Sequence, residues 1–82
     1  MQYIYYNRDV ILTFEEKIMN NQVKKYRMDK NLTQTELAEL VGATRQTIGL
    51  IESGKYNPSL NLCVSIAKVL SKTLDDLFWE DS

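Results

Sequence analysis

The chain of 82 residues has no histidine, one cysteine (Cys63) and one proline (Pro58). Histidine is the commonest metal ligand and the usual general base near neutral pH, so its absence removes the simplest routes to catalysis. A lone cysteine forms no internal disulfide, and with no histidine beside it no zinc site is expected. The three glycines, Gly42, Gly49 and Gly54, make no phosphate-cradling loop. No pair of carboxylates is framed by a cleft-sized fold. Together these absences argue against an enzyme, a metal or a cofactor, and no small-molecule site is evident. No apolar run reaches the roughly 20 residues of a bilayer span. The N-terminus lacks a basic start followed by a long apolar stretch, so no signal peptide is expected and the default location is the reducing cytoplasm, away from the membrane.

What is present fits one small domain. A domain this short buries only about 60% of its unfolded surface, so it relies on tight packing or on a second copy for stability. The net charge is −1, but it is unevenly placed. Over residues 22–56, Lys24, Lys25, Arg27, Lys30, Arg45 and Lys55 stand against Asp29, Glu36, Glu39 and Glu52, a net of +2. Over residues 57–82, Lys68 and Lys72 stand against Asp75, Asp76, Glu80 and Asp81, a net of −2. A basic middle and an acidic tail suit a module with one DNA-facing side.

Composition changes near residue 20. Tyr3-Ile4-Tyr5-Tyr6 and Val10 to Phe14 favour strand, and Asn7-Arg8-Asp9 between them favours a turn, which predicts a short hairpin. Two readings of this extension, residues 1–20, stand side by side. In one, Met19 is the start used in the cell, because the helical portion begins at about Asn21 and Glu15-Glu16-Lys17 can be encoded by a purine-rich run resembling a ribosome-binding site. In the other, the hairpin is real, and its tyrosines pack near Trp79 and help to pair two chains.

From Asn21 onward the spacing of apolar residues is helical. A first helix is expected over 22–30, with Val23 and Tyr26 inward. Thr33-Gln34-Thr35-Glu36 is a capping box that opens a second helix, 34–41, and Gly42 ends it in the left-handed conformation. Thr44 caps a third helix, 45–53, which Gly54 ends. Lys55 to Pro58 is a loop, since the residue before proline avoids the helix. Ser59 caps a fourth helix, reaching Leu70, with Leu60, Cys63, Ile66, Ala67 and Leu70 inward. Thr73 and Asp76 cap a short fifth helix. Cys63 on that inward face is expected to be a small buried hydrophobe rather than a redox sensor.

The second and third helices are joined only by Gly42-Ala43-Thr44. Leu37, Val41, Ala43, Ile48 and Ile51 would pin one helix rigidly across the other, with Ala38 small where they approach. The outward residues on the first turn of the third helix are Arg45, Gln46 and Thr47. Arginine pairs with guanine, glutamine with adenine, and threonine with either base edge. On composition alone a solvated first turn is the preferred reading of these three.

Thr33-Gln34-Thr35-Glu36-Leu37-Ala38-Glu39-Leu40-Val41-Gly42, then Thr44-Arg45-Gln46-Thr47-Ile48 and Ile51-Glu52-Ser53-Gly54-Lys55, resemble the XRE family, the Cro/CI-type helix-turn-helix regulators. Asn57-Pro58-Ser59-Leu60 and Thr73 to Phe78 are similar to its continuation. The resemblance covers roughly residues 21–79 and leaves an acidic tail at 80–82. It implies an all-α, five-helix, lambda-repressor-like domain, with the hairpin as an addition. It also implies a transcriptional regulator, a repressor, that binds double-stranded operator DNA of palindromic type as a homodimer.

Within that resemblance Thr44, Arg45, Gln46 and Thr47 are DNA contacts. Gln34 either holds a phosphate at the start of its helix or is a plain helix former. Leu50 either touches a thymine methyl or packs on a neighbour. Lys55 and Asn57 either clamp the DNA backbone or form an ordinary polar loop. Arg27 and Glu52 resemble a pair that bridges the first and third helices. Phe78 and Trp79 either form the dimer contact or close the chain's own core. Gly49 is out of place inside a helix, where glycine costs about 1 kcal/mol relative to alanine. A second class of function is open on the same fold, an antitoxin or protein-interaction adaptor, for which the acidic tail beside Phe78 and Trp79 is the supporting feature.

Overall fold

The computed structural model describes residues 3–7, 10–13 and 21–79, with side chains for residues 21–78. Strands β1 (Tyr3–Asn7) and β2 (Val10–Thr13) pair antiparallel, with Tyr3 opposite Thr13, Ile4 opposite Leu12 and Tyr5 opposite Ile11. The register shifts between Tyr5 and Asn7, the mark of a bulge. The packing expected of the Tyr3, Tyr5 and Tyr6 rings near Trp79 lies outside the described residues, as do Met19 and the acidic tail at 80–82.

The helical domain consists of α1 (Val23–Asp29), α2 (Gln34–Val41), α3 (Arg45–Glu52), α4 (Leu60–Leu70) and α5 (Asp75–Trp79), the last a π-helical turn. Each start has a local cause. The Thr33 hydroxyl accepts from the Glu36 amide at 3.0 Å, while the Glu36 carboxylate accepts from the Thr33 amide at 2.8 Å. Thr73 and Asp76 repeat this exchange, both bonds at 3.0 Å. Thr44 accepts from Thr47 at 3.1 Å and Ser59 from Leu62 at 3.2 Å. Each bond satisfies an amide that the first helical turn leaves without a partner.

The ends are equally local. Gly42 and Gly54 take left-handed backbone with φ of 72° and 75°. Asn31 and Ser71 do the same at φ 58° without being glycine. Left-handed backbone brings Cβ against the following carbonyl, so Ser71 in particular carries strain. It is stabilised by the turn it closes, in which Lys72 N–H reaches back to Ala67 C=O at 3.0 Å.

The core lies where α1, α2, α3 and α4 meet. Val23 and Tyr26 enter from α1, Leu37 and Ala38 from α2, Ile48 and Ile51 from α3, and Cys63, Ile66, Ala67 and Leu70 from α4. Leu77 and Phe78 close it from α5. This decides between the two expectations for Phe78 and rules out the dimer contact. It is only 1% exposed, so it completes this chain's own core and presents nothing to a second copy. The side chain of Trp79 lies outside the described residues. Cys63 is a free thiol, 1% exposed, and burial pushes its pKa up to about 11. The Tyr26 ring is flanked by the ammonium groups of Lys72 and Lys25, 4.6 and 5.2 Å from its centroid, close enough for a cation–π contribution.

Candidate nucleic-acid interface

An eight-residue helix is too short to be stable alone in water, so α3 depends on its attachments. Its buried face, Ile48 and Ile51, packs into the core. Its last residue, Glu52, belongs to a polar cluster. Arg27 Nε donates to Glu52 Oε2 at 2.6 Å and its Nη2 to Oε1 at 3.2 Å, a two-pronged ion pair with side chains 10% and 3% exposed. The remaining guanidinium nitrogen, Nη1, donates to Leu32 C=O at 2.6 Å. Among the described residues no buried side-chain polar atom lacks a partner. With its charges matched and each guanidinium nitrogen hydrogen-bonded, the pair fixes α1, the α1–α2 turn and the end of α3 to one another.

Gln34 joins this cluster. Its Nε2 donates to Glu52 Oε1 at 3.1 Å, so its side chain lies half-buried across α3. The amide thus has an intramolecular duty, and what remains for a phosphate is its carboxamide edge and the amides of the first turn of α2. Gly49 lies directly beneath. A Cβ built there would meet Gln34 Nε2 at 3.7 Å and Oε1 at 3.8 Å, ordinary contact distances. The glycine is therefore not forced by close packing. Lys24, Gln34, Gly49, Glu52 and Ser53 together line a shallow open pocket at this point.

The side of α3 turned away from Ile48 and Ile51 is open at its first turn. Arg45 and Gln46 are exposed on its first turn, and Leu50, 36% exposed, follows one turn later. Gln46 and Leu50, four residues apart, share one side of the helix, and Arg45 flanks them at its start. Thr47 is half-buried and its hydroxyl lies 2.9 Å from that of Thr44, whose oxygen also caps the helix. The two threonines shape the start of α3, while Arg45 and Gln46 project from it. Lys55 and Asn57 are exposed in the loop after α3. Lys24 on α1 and Ser53 after α3 border the same region and were not singled out from sequence. Asn21 was also missed. Its Oδ1 accepts from the Val23 amide at 3.0 Å and its Nδ2 donates to Ile51 C=O at 2.9 Å. An asparagine just ahead of a helix is a capping signal, and that much was readable.

The arrangement is a rigidly mounted, solvent-facing helix end carrying an arginine and a glutamine, bordered by lysines. No helix among the described residues is long and apolar enough to cross a membrane. The family pattern described as helix-turn-helix matches residues 23–77, which spans α1 to α5. An HTH-type transcriptional regulator from Methanocaldococcus jannaschii is 50% identical over 64 residues, 77% of this chain and 97% of that protein. The solved structure of the restriction-modification controller protein C.AhdI from Aeromonas hydrophila superposes with a TM-score of 0.66 at 29% identity, over 76% of this chain and 92% of that one. The clp gene regulator ClgR from Corynebacterium glutamicum superposes with a TM-score of 0.68 at 25% identity, over 79% of this chain and 68% of that one. With its five helices, its short α2–α3 turn and these relatives, the chain belongs to the helix-turn-helix family, the XRE or Cro/CI-type transcriptional regulators.

Proposed function

We propose that this protein is a sequence-specific transcriptional repressor of the cytoplasm that inserts α3 into the major groove of operator DNA. The observation that carries the reading is the open first turn of α3. Arg45 and Gln46 are exposed there, on a helix whose other face and last residue are fixed by the core and the Arg27–Glu52 pair. In this reading Arg45 pairs with guanine and Gln46 with adenine, and Leu50 meets a thymine methyl. Thr44 and Thr47 set the approach of that turn and offer their hydroxyls to the nearest phosphate or base edge. Gln34, Lys55 and Asn57 hold the DNA backbone on either side of the reading turn.

A single short helix reads too few base pairs for a useful site, so the protein acts as a homodimer on a palindrome with half-sites about 34 Å apart. With Phe78 committed to the core, the exposed apolar residues left for a contact between copies include Tyr56 and Leu60, beside Met28 and Leu40. Tyr56 and Leu60 are 44% and 57% exposed, four residues apart on the segment that leaves α3 and enters α4.

The test is selection of bound sites from random duplexes, followed by affinity measurements across a salt series. A recovered palindrome, bound by two chains with a steep salt dependence, is expected. Recovery of no shared sequence, with binding that ignores salt, refutes the proposal and favours the adaptor role.

A further inference from the structure

The residues that lead into the helical domain are bonded to the ends of two other helices. Gln22 N–H donates to Leu77 C=O in α5 at 2.8 Å. Asn21, just before it, uses both ends of one carboxamide. Its oxygen takes the first amide of α1, that of Val23, and its nitrogen gives to Ile51 C=O in the last turn of α3, 30 residues away. A helix leaves its last four carbonyls without partners of its own, and what they bond to decides where that end is held. Ile51 C=O also receives Gly54 N–H at 3.0 Å, within the turn that closes α3. Asn21 is thus bonded to the same carbonyl as the turn itself.

We propose that Asn21 is a positioning residue for α3, a carboxamide whose oxygen starts α1 and whose nitrogen fixes the far end of the DNA-reading helix relative to it. The inference rests on the proposed role of α3 in reading bases. Only a side chain that is both donor and acceptor can make the two bonds. Aspartate offers acceptors without a donor, and serine is too short to reach across to Ile51 while still capping α1. Base contacts are bidentate and tolerate little misorientation, whereas attraction to phosphates tolerates much. Releasing the end of α3 therefore erodes discrimination between sites more than it erodes general attraction to DNA.

Asn21→Asp and Asn21→Ser in the full chain separate the two duties, since both keep an acceptor for the Val23 amide and both lose the donor to Ile51. In the free protein, hydrogen exchange is read at Ser53, Gly54 and Lys55. Their amides bond to Gly49, Ile51 and Leu50 carbonyls at the end of α3. In both variants exchange there should rise about fivefold, the worth of one hydrogen bond, while the Cys63 amide in α4 keeps its wild-type rate. The ratio of affinity for the selected site to affinity for random duplex should fall by a similar factor, with the salt slope unchanged. Unchanged exchange at the end of α3, or an equal rise throughout the domain, overturns the proposal, the second by marking a purely global role. Local loosening with an unchanged affinity ratio overturns it as well. Local loosening in a protein whose wild type prefers no sequence upholds the tie between Asn21 and α3 and refutes instead the reading of α3 as the DNA-reading element.

Discussion

Alanine at Gly49 and alanine at Gly42 should move stability in opposite directions, although the chemical change is identical. At Gly49 the backbone is helical and a Cβ meets only the Gln34 carboxamide, at 3.7 and 3.8 Å. Nothing has to shift, so the variant gains the difference in helix propensity, about 1 kcal/mol. Some of that is lost if the carboxamide gives up part of its bond to Glu52, which leaves about 0.5–1 kcal/mol of net stabilisation. For a domain of this size that raises Tm by roughly 2–8 °C. At Gly42 the space is equally open, with nothing within 4 Å, but φ is 72°. A Cβ in left-handed backbone costs about 1–2 kcal/mol, so Gly42→Ala should lower Tm by roughly 4–16 °C. Thermal unfolding at one fixed protein concentration measures both, since the proposed dimer would make Tm depend on concentration. The reasoning fails if Gly49→Ala is no more stable than wild type. It fails equally if Gly42→Ala is neutral, since backbone angle and not space is then the wrong discriminator.

Replacing Arg27 by Met should destabilise the domain by about 3–5 kcal/mol, because Glu52 is left charged and buried, and Arg27→Met with Glu52→Leu should recover much of that loss in a double-mutant cycle by urea unfolding. Arg45→Ala and Gln46→Ala should each lower preference for the selected site by about 1–3 kcal/mol while leaving Tm within error, and equal losses on random DNA would instead make them backbone contacts. The amide and hydroxyl of Thr73 hold the Asp76 carboxyl below the usual carboxylate range. Its proton is held less tightly in the folded chain than in the unfolded one, so the capping stabilisation is complete above the ordinary carboxylate value and fades as pH falls through the lower folded value. Asp76→Ala should flatten that part of an acid titration of Tm, and an unchanged profile would assign the acid loss elsewhere. Burial of Cys63 with its pKa near 11 should keep the native thiol unreactive toward iodoacetamide at neutral pH, with labelling appearing only as the protein unfolds.

Legibility of the fold followed the range of the interactions. The Thr33–Glu36 and Thr73–Asp76 exchanges span three residues, so the pattern that predicts them is contained in the same few letters. Gly42 and Gly54 announce left-handed ends because other residues avoid that conformation. Ser71 adopts it without any such signal, held by the turn it closes, and so the way α4 ends was not readable. Phe78 shows a different limit. A five-residue helix at the end of a domain offers too few positions for periodicity to tell the core from an interface, and α5 is moreover a π turn. The outward face of α3 was legible because its neighbours in sequence, Ile48 and Ile51, define the inward one. What Gln34 and Asn21 do was not. Their partners, Glu52 and Ile51, are 18 and 30 residues away, and no local pattern carries that information.

The same division of range explains how one short helix can be both fixed and changeable. The interactions that mount α3 are made by residues other than those of its exposed first turn: Ile48 and Ile51 in the core, Glu52 with Arg27 and Gln34, and the Ile51 carbonyl with Asn21. Arg45, Gln46 and Leu50 lie on the open face and take no part in those contacts. On the proposed reading, altering the mount changes stability and pointing together, whereas altering Arg45 or Gln46 changes which bases are preferred and leaves the mount intact. Thr47 lies between the two sets, half-buried and bonded to the cap of its own helix, so a substitution there should change site preference and the start of α3 together. Preference and stability can therefore drift almost independently in this domain. Thr44 and Thr47 couple the two at the start of α3, as Asn21 does at its far end, and variants selected for a new site should keep these residues while Arg45 and Gln46 vary.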